Sequence, residues 1–194
     1  AAQARFEAAS VLSKTSEHGK TITAFQAYLS QHEGDSGQDE RVVEAKRRIG
    51  QSHAALGKRK KAEEYYRATV AAFETRGLKP ASEAADYPSE AQFLLARSEL
   101  DNVSASKIRS TNPRKLERES KALLDSVVAA SAEFDKVVDY KRVDWALGAT
   151  YSKGQALEQT AINLRDAPVP KKLKEYSEAW FAYKDIVGQA ADPR

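Results

Sequence analysis

The side chains able to do chemistry are few in kind and scattered in placing. Three histidines, His18, His32 and His53, are the only imidazoles in a chain of 194 residues that has no cysteine. A zinc site of the HExxH type needs two such ligands one helical turn apart, and no two of the three stand at that spacing. His18 and His32 fall near expected helix ends and His53 on a face expected to meet a neighbouring helix, so no metal site is expected. Neighbouring carboxylates such as Glu63 and Glu64 leave a helix in different directions and read as solvated surface. Nine glycines form no phosphate-cradling loop, and no GxSxG elbow, GxGxxG turn or Walker loop is present. Zero cysteine excludes disulfides and thiol chemistry. The expectation is a chain that is not an enzyme and carries no cofactor.

Charge narrows the class of partner. The 31 basic residues nearly balance 28 acidic ones, for a net charge of +3, so most charges are expected to alternate over solvated helix faces. A dedicated nucleic-acid binder is usually more lopsided, and no nucleic-acid partner is expected. Two runs are dense, Lys58-Arg59-Lys60-Lys61 and Lys171-Lys172-x-Lys174. Both sit at expected turns or helix starts and read as exposed turns, with contact to nucleic acid or anionic lipid as the alternative. No apolar run reaches the twenty or so residues that cross a bilayer, so no direct membrane insertion is expected, and Ala1 to Ser10 lack the basic and apolar regions of a signal peptide. The absence of methionine and a start inside a helical pattern suggest a segment of something longer. Cysteine-free composition suits a bacterial periplasm or cell envelope, with the cytoplasm as the alternative.

The elements that must position these residues all read as helices. Thirty-three alanines favour helix and allow close helix contact, while strand patterning is nearly absent. A phrase occurs twice: Gly19-x4-Ala24-x3-Tyr28, then Gly57-x4-Ala62-x3-Tyr66, thirty-eight residues later. Internal repetition predicts units that bury their apolar faces only by stacking. Around the second phrase, Val43, Ile49, His53 and Leu56 recur at helical spacing, Gly57 stops the run, and Lys60 to Phe73 begin another that ends by Gly77. Gly50 and Ala62 are small where two backbones must approach, and Tyr66 is the large neighbour. The polar stretch from Glu33 to Glu40 is a loop that absorbs the longer period.

These residues resemble the tetratricopeptide repeat, a helical hairpin of about thirty-four residues. Ile49-Gly50 match the seventh and eighth positions, Gly57 the fifteenth, Ala62 the twentieth and Tyr66 the twenty-fourth; Lys46 stands where the family often has Trp, and Thr69 replaces a common Ala. Trp145-Ala146-Leu147-Gly148-x2-Tyr151 and Ala179-x3-Tyr183 resemble the two helices of a further unit. The resemblance implies an all-α, right-handed superhelical solenoid of about eight helices in antiparallel hairpins. One domain spans 1–194, with two repeat-type hairpins over 1–77 and two longer hairpins over 88–190. Four helices are expected in the second half: Pro88 to Ile108, Pro113 to Asp139, Lys141 to Arg165 and Pro170 to Gly188. Bacterial envelope adaptors with such repeats look similar in their Ala-rich, Gln-rich style.

In the family, the first helix of each hairpin lines a concave groove. Carried over position by position, that groove comprises Phe6, Ala9 and Ser13; Glu44, Arg47 and Gln51; Glu90, Phe93, Arg97 and Leu100; and Arg142, Trp145, Ala149 and Ser152. Phe6, Arg47, Gln51, Phe93, Arg97, Arg142 and Trp145 are the candidate partner-binding residues. Arginine can pair a carboxylate bidentately while Trp and Phe bury area, so the resemblance implies a protein or peptide partner offering apolar anchors beside carboxylates. The alternative for Phe93, Leu100 and Trp145 is a place in the core of long hairpins. Three functions are open: a protein-binding scaffold in a bacterial assembly, a structural spacer between other domains, and a regulator binding a small ligand between helices.

Overall fold

The computed structural model describes residues 2–104 and 106–191, and the regular structure among them is wholly helical. Eight α-helices follow in order: α1 (Ala2–Lys14), α2 (His18–His32), α3 (Asp39–Ala55), α4 (Arg59–Thr75), α5 (Asp86–Ser104), α6 (Pro113–Asp139), α7 (Val143–Arg165) and α8 (Glu178–Ala191). Single 3-10 turns at Ser36–Gln38 and Glu83–Ala85 lead into α3 and α5. Gly57 and Gly77 end α3 and α4 at φ of +70° and +64°, a left-handed conformation that glycine adopts without a Cβ clash.

Three helix starts differ from the sequence expectation, α7 among them at Val143 rather than Lys141, and α5 ends at Ser104 rather than Ile108. α5 begins at Asp86, two residues before Pro88, because proline in a first turn removes only an amide that has no helical partner. α8 begins at Glu178 rather than near Pro170. Residues 170–177 are spent in turns, with Leu173 N–H bonded to Pro170 O at 2.9 Å and Ser177 N–H to Lys174 O at 3.0 Å. Ser177 Oγ then accepts the amide of Trp180 at 3.2 Å, a serine cap that sets where the helix opens.

The chain forms two compact units, one of residues 1–95 with 135–147, the other of 96–134 with 148–194. α5, α6 and α7 each give one stretch to either unit.

In the first unit, three-residue connections fold α1 back against α2 and α3 against α4. Phe6 of α1 meets Phe25 and Tyr28 of α2 edge-on at 5.5 and 5.3 Å, and these join Leu29, Val42, Ala45 and Ile49 in one core. Between α3 and α4 the fit is tight. A Cβ on Gly50 would lie 2.6 Å from Tyr66 Cε1 and 3.4 Å from Ala62 O, so the small and large residues of the repeated phrase meet as expected. Higher up, Val43 shares a cluster with Phe73, Ala84, Ala85 and Tyr140. Gly50 against Ala62 and Val43 against Phe73 make the pair antiparallel.

The second unit gathers Ile108, Leu116, Leu123, Leu164 and Ala167. Asn112 caps α6 by accepting the amides of Arg114 and Lys115 at 3.1 and 3.3 Å, with Pro113 in the first helical position. Glu119 accepts the amides of Arg109 and Ser110, each at 3.0 Å, which ties the preceding loop to α6. Those two bonds hold its carboxyl below the usual range.

Candidate partner-binding face

The expected groove depends on whether the first helices of successive hairpins lie side by side. Contacts between α1 and α3 keep a constant step: Arg41 sits over the Phe6 ring at 5.9 Å, and Arg48 Nη1 donates to Ser13 Oγ at 2.7 Å, pairs that are each thirty-five residues apart. Between α3 and α5 the step is forty-three residues, for Tyr87 with Glu44 and for Arg47 with Glu90. A constant offset at two points along a helix pair means the helices run parallel. α1, α3 and the first turns of α5 are therefore a row of parallel helices.

Across that row runs a connected set of half-buried polar groups. Arg47 pairs with one carboxylate oxygen of Glu90, and Gln51 Nε2 donates to the other at 2.5 Å. The Arg47 guanidinium also lies over the Tyr87 ring, 5.0 Å from its centroid. Tyr87 Oη donates to Glu44 Oε2 at 3.0 Å, and Arg48 holds the other Glu44 oxygen at 2.6 Å. Burial, then the facing Glu44 carboxylate, pushes the Tyr87 phenol up to about 12. Burial, then Glu90, does the same to Tyr66 beneath. One atom lacks a partner: Arg47 Nε is buried and makes no hydrogen bond.

The start of α7 adds an aromatic patch in the same unit. Trp145 Nε1 donates to Asp86 Oδ1 at 2.9 Å, Arg142 Nε stands 3.6 Å from that oxygen, and the Trp145 ring lies 5.5 Å from Phe93. Both aromatic rings are half-buried.

The structure thus joins Arg47 to Gln51 through Glu90, and Phe93 to Trp145 and Arg142 through ring contact and Asp86. Phe6 is turned into the core at 8% exposure. Arg97 lies in the other unit and stands 3.7 Å from Asp101 one turn along α5, with both side chains exposed. Asp86 and Tyr87 were not among the sequence candidates. They carry no local signal, since an acid and a tyrosine ahead of a proline read as a loop, and their partners lie forty-three to fifty-nine residues away. Among the described residues no group of three or more His, Asp or Glu side chains is placed to hold a metal ion. No helix among them is long and apolar enough to cross a membrane.

Comparison with protein-family models, with curated proteins and with solved structures finds no match for this chain.

Proposed function

We propose that this chain is a non-catalytic interaction module of tetratricopeptide-like, right-handed superhelical design that takes a peptide or helix of a partner protein along its first helices. The observation that carries the reading is that the first helices of successive hairpins, α1, α3 and the start of α5, run parallel and side by side, which is how stacked hairpins would set them. Side chains on that row are chemically mixed, with guanidinium, amide and carboxylate groups near the Phe93 and Trp145 rings. An acidic peptide with apolar anchors suits them. Glu90 already occupies Arg47 and Gln51, so a partner carboxylate binds there by exchange rather than at a vacant site. A bacterial envelope assembly is the setting that the likeness to envelope adaptors suggests, with the cytoplasm as the alternative.

A second reading, a spacer between other domains, is supported by that same network, in which all but Arg47 Nε is paired: groups paired within the chain can also serve only to lock helices together.

A photo-crosslinking amino acid placed at Gln51 or Trp145, and as control at exposed Thr23 on α2, separates the two. Peptides selected from a random library on the folded chain are expected to crosslink from Gln51 and Trp145 and not from Thr23. Equal labelling at all three, or no selectable peptide, would favour the spacer.

A further inference from the structure

The first unit holds a cavity that the interaction reading does not use. Its volume is about 430 Å³, within the range of about 300–1,000 Å³ usual for small-molecule sites. A hollow among Leu116, Leu124 and Leu164 of the second unit has Glu117 as its one charged group, whereas three charged groups line the cavity of the first. Hydrocarbon comes from Val70 and Phe73 of α4 and from Leu78 after it. Another part of the wall is the last turn of α6 with Tyr140, and it is fixed to the first part twice. The Tyr140 ring meets Phe73 edge-on at 5.6 Å, and Ala81 N–H donates to Tyr140 O at 2.9 Å.

Two carboxylates line this space, Glu74 and Asp139, and among the described residues neither pairs with a cation. By contrast Asp39, Glu44 and Glu90 of the same unit each hold an arginine. Lys136 is the one cation in the wall and is engaged within the chain, so two carboxylates against one ammonium leave the cavity negative. The independent sign of a ligand is the Tyr140 hydroxyl. Tyr140 is 8% exposed and lines the cavity, yet its hydroxyl has no hydrogen-bond partner among the described residues. A buried phenol usually finds one. Burial first, then Glu74 and Asp139, pushes this phenol up to about 12, as an oxygen near both carboxylates should be. Three acceptors thus line one space, and a single ammonium group carries three N–H donors.

We infer that this cavity binds a small organic cation, a protonated amine on an apolar body, its ammonium donating to Glu74, Asp139 and Tyr140 Oη and its hydrocarbon resting on Val70 and Leu78. Among the described residues the two carboxylates belong to no set of three acids or histidines that could hold a metal ion, and a hydrated metal would leave the apolar wall unused. The same chemistry is supplied by a free arylalkylamine or by the lysine side chain of a protein, and the test distinguishes them.

Phenethylamine, a blocked lysine amide and phenylpropionate are each titrated at neutral pH into the isotope-labelled full chain, with backbone amide shifts as the readout. Saturable binding of one amine per chain is expected, with shifts centred on the end of α4 and the end of α6, and phenylpropionate, of like body and opposite charge, should leave them unmoved. Tighter phenethylamine assigns the source to a free amine; tighter lysine amide assigns it to a protein side chain. Glu74→Gln with Asp139→Asn, at exposed positions where folding is preserved, should weaken the amine about tenfold. Tyr140→Phe, which keeps the ring and its packing on Phe73, should weaken it about threefold. Phenylpropionate binding as tightly as the amine, amine binding unmoved by either variant, shifts centred elsewhere, or no saturable binding of either amine overturns the inference.

Discussion

Gly50 shows how one missing methyl group fixes a helix pair. Its Cβ position is 2.6 and 2.7 Å from two Tyr66 ring atoms, and Tyr66 is too well buried to swing away. Gly50→Ala should therefore cost about 1–3 kcal/mol by overpacking, despite adding a better helix former, and a urea titration measures it. Backbone conformation predicts changes of opposite sign at two other residues. Gly57 sits at φ +70°, so Gly57→Ala should cost about 1 kcal/mol. Ala81 lies at φ +67° with its N–H donating to Tyr140 O at 2.9 Å, and Ala81→Gly should raise stability by about 0.5–1 kcal/mol, read as a higher melting temperature. Tyrosine titration tests burial directly. Tyr66, Tyr87 and Tyr140 are each pushed up to about 12, first by burial. In the unfolded chain a phenol ionises near pH 10, so between about 10 and 12 the unfolded state binds fewer protons. The stability these three contribute is present in full below pH 10 and is lost as the pH climbs toward 12. Of the eight tyrosines, a spectrophotometric titration should find Tyr66, Tyr87 and Tyr140 ionising last, with Tyr28 and Tyr183 also raised by burial, and the urea midpoint falling as they ionise.

At the scale of elements, the helices themselves are local events and were legible. Gly57, the Ala62 and Tyr66 spacing, and the Asn112-Pro113 pair mark ends and faces within a few residues of each other, and α3, α4, α6 and α7 lie within about two residues of expectation. α8 was placed too early because Pro170 signals a possible helix start, while the cap that operates is Ser177. What the helices do to each other was legible only in part. The groove positions placed Arg47 and Glu90 in neighbouring helices, and the two meet. That they satisfy each other, with Gln51 on the second oxygen, follows from side-chain reach across α3 and α5. A double-mutant cycle with Arg47→Ala and Glu90→Ala should return a coupling of about 1–3 kcal/mol, since both groups are mostly shielded from water and each loses its main partner. Coupling near zero would mean that the pair is water-screened and leaves Arg47 open to a ligand.

For the whole molecule, the division into two units is the feature farthest from sequence reach. Three helices run from one unit into the other, so the units are not consecutive pieces of chain. A break in such a helix should register on both sides. Ala96→Pro in α5 removes a backbone N–H hydrogen bond and clashes with the preceding turn, costing about 3 kcal/mol or more. Hydrogen exchange should quicken both before it, near Phe93, and after it, near Leu100; a change confined to one side would show that the two parts of α5 open independently. By itself the sequence determined the helical class, the hairpin contact of Gly50 and Ala62 with Tyr66, and the near balance of charge, because helix periodicity and residue size act over neighbours in the chain. Tertiary structure alone decided that Phe6 faces the core while Phe93 and Trp145 are half open, that Arg47 and Gln51 share Glu90, and that an apolar hollow forms among Leu116, Leu124 and Leu164. Each of those depends on which faces close packing brings together between distant residues, from nineteen apart for Phe6 and Phe25 to fifty-two for Phe93 and Trp145, and local propensity carries no record of that choice.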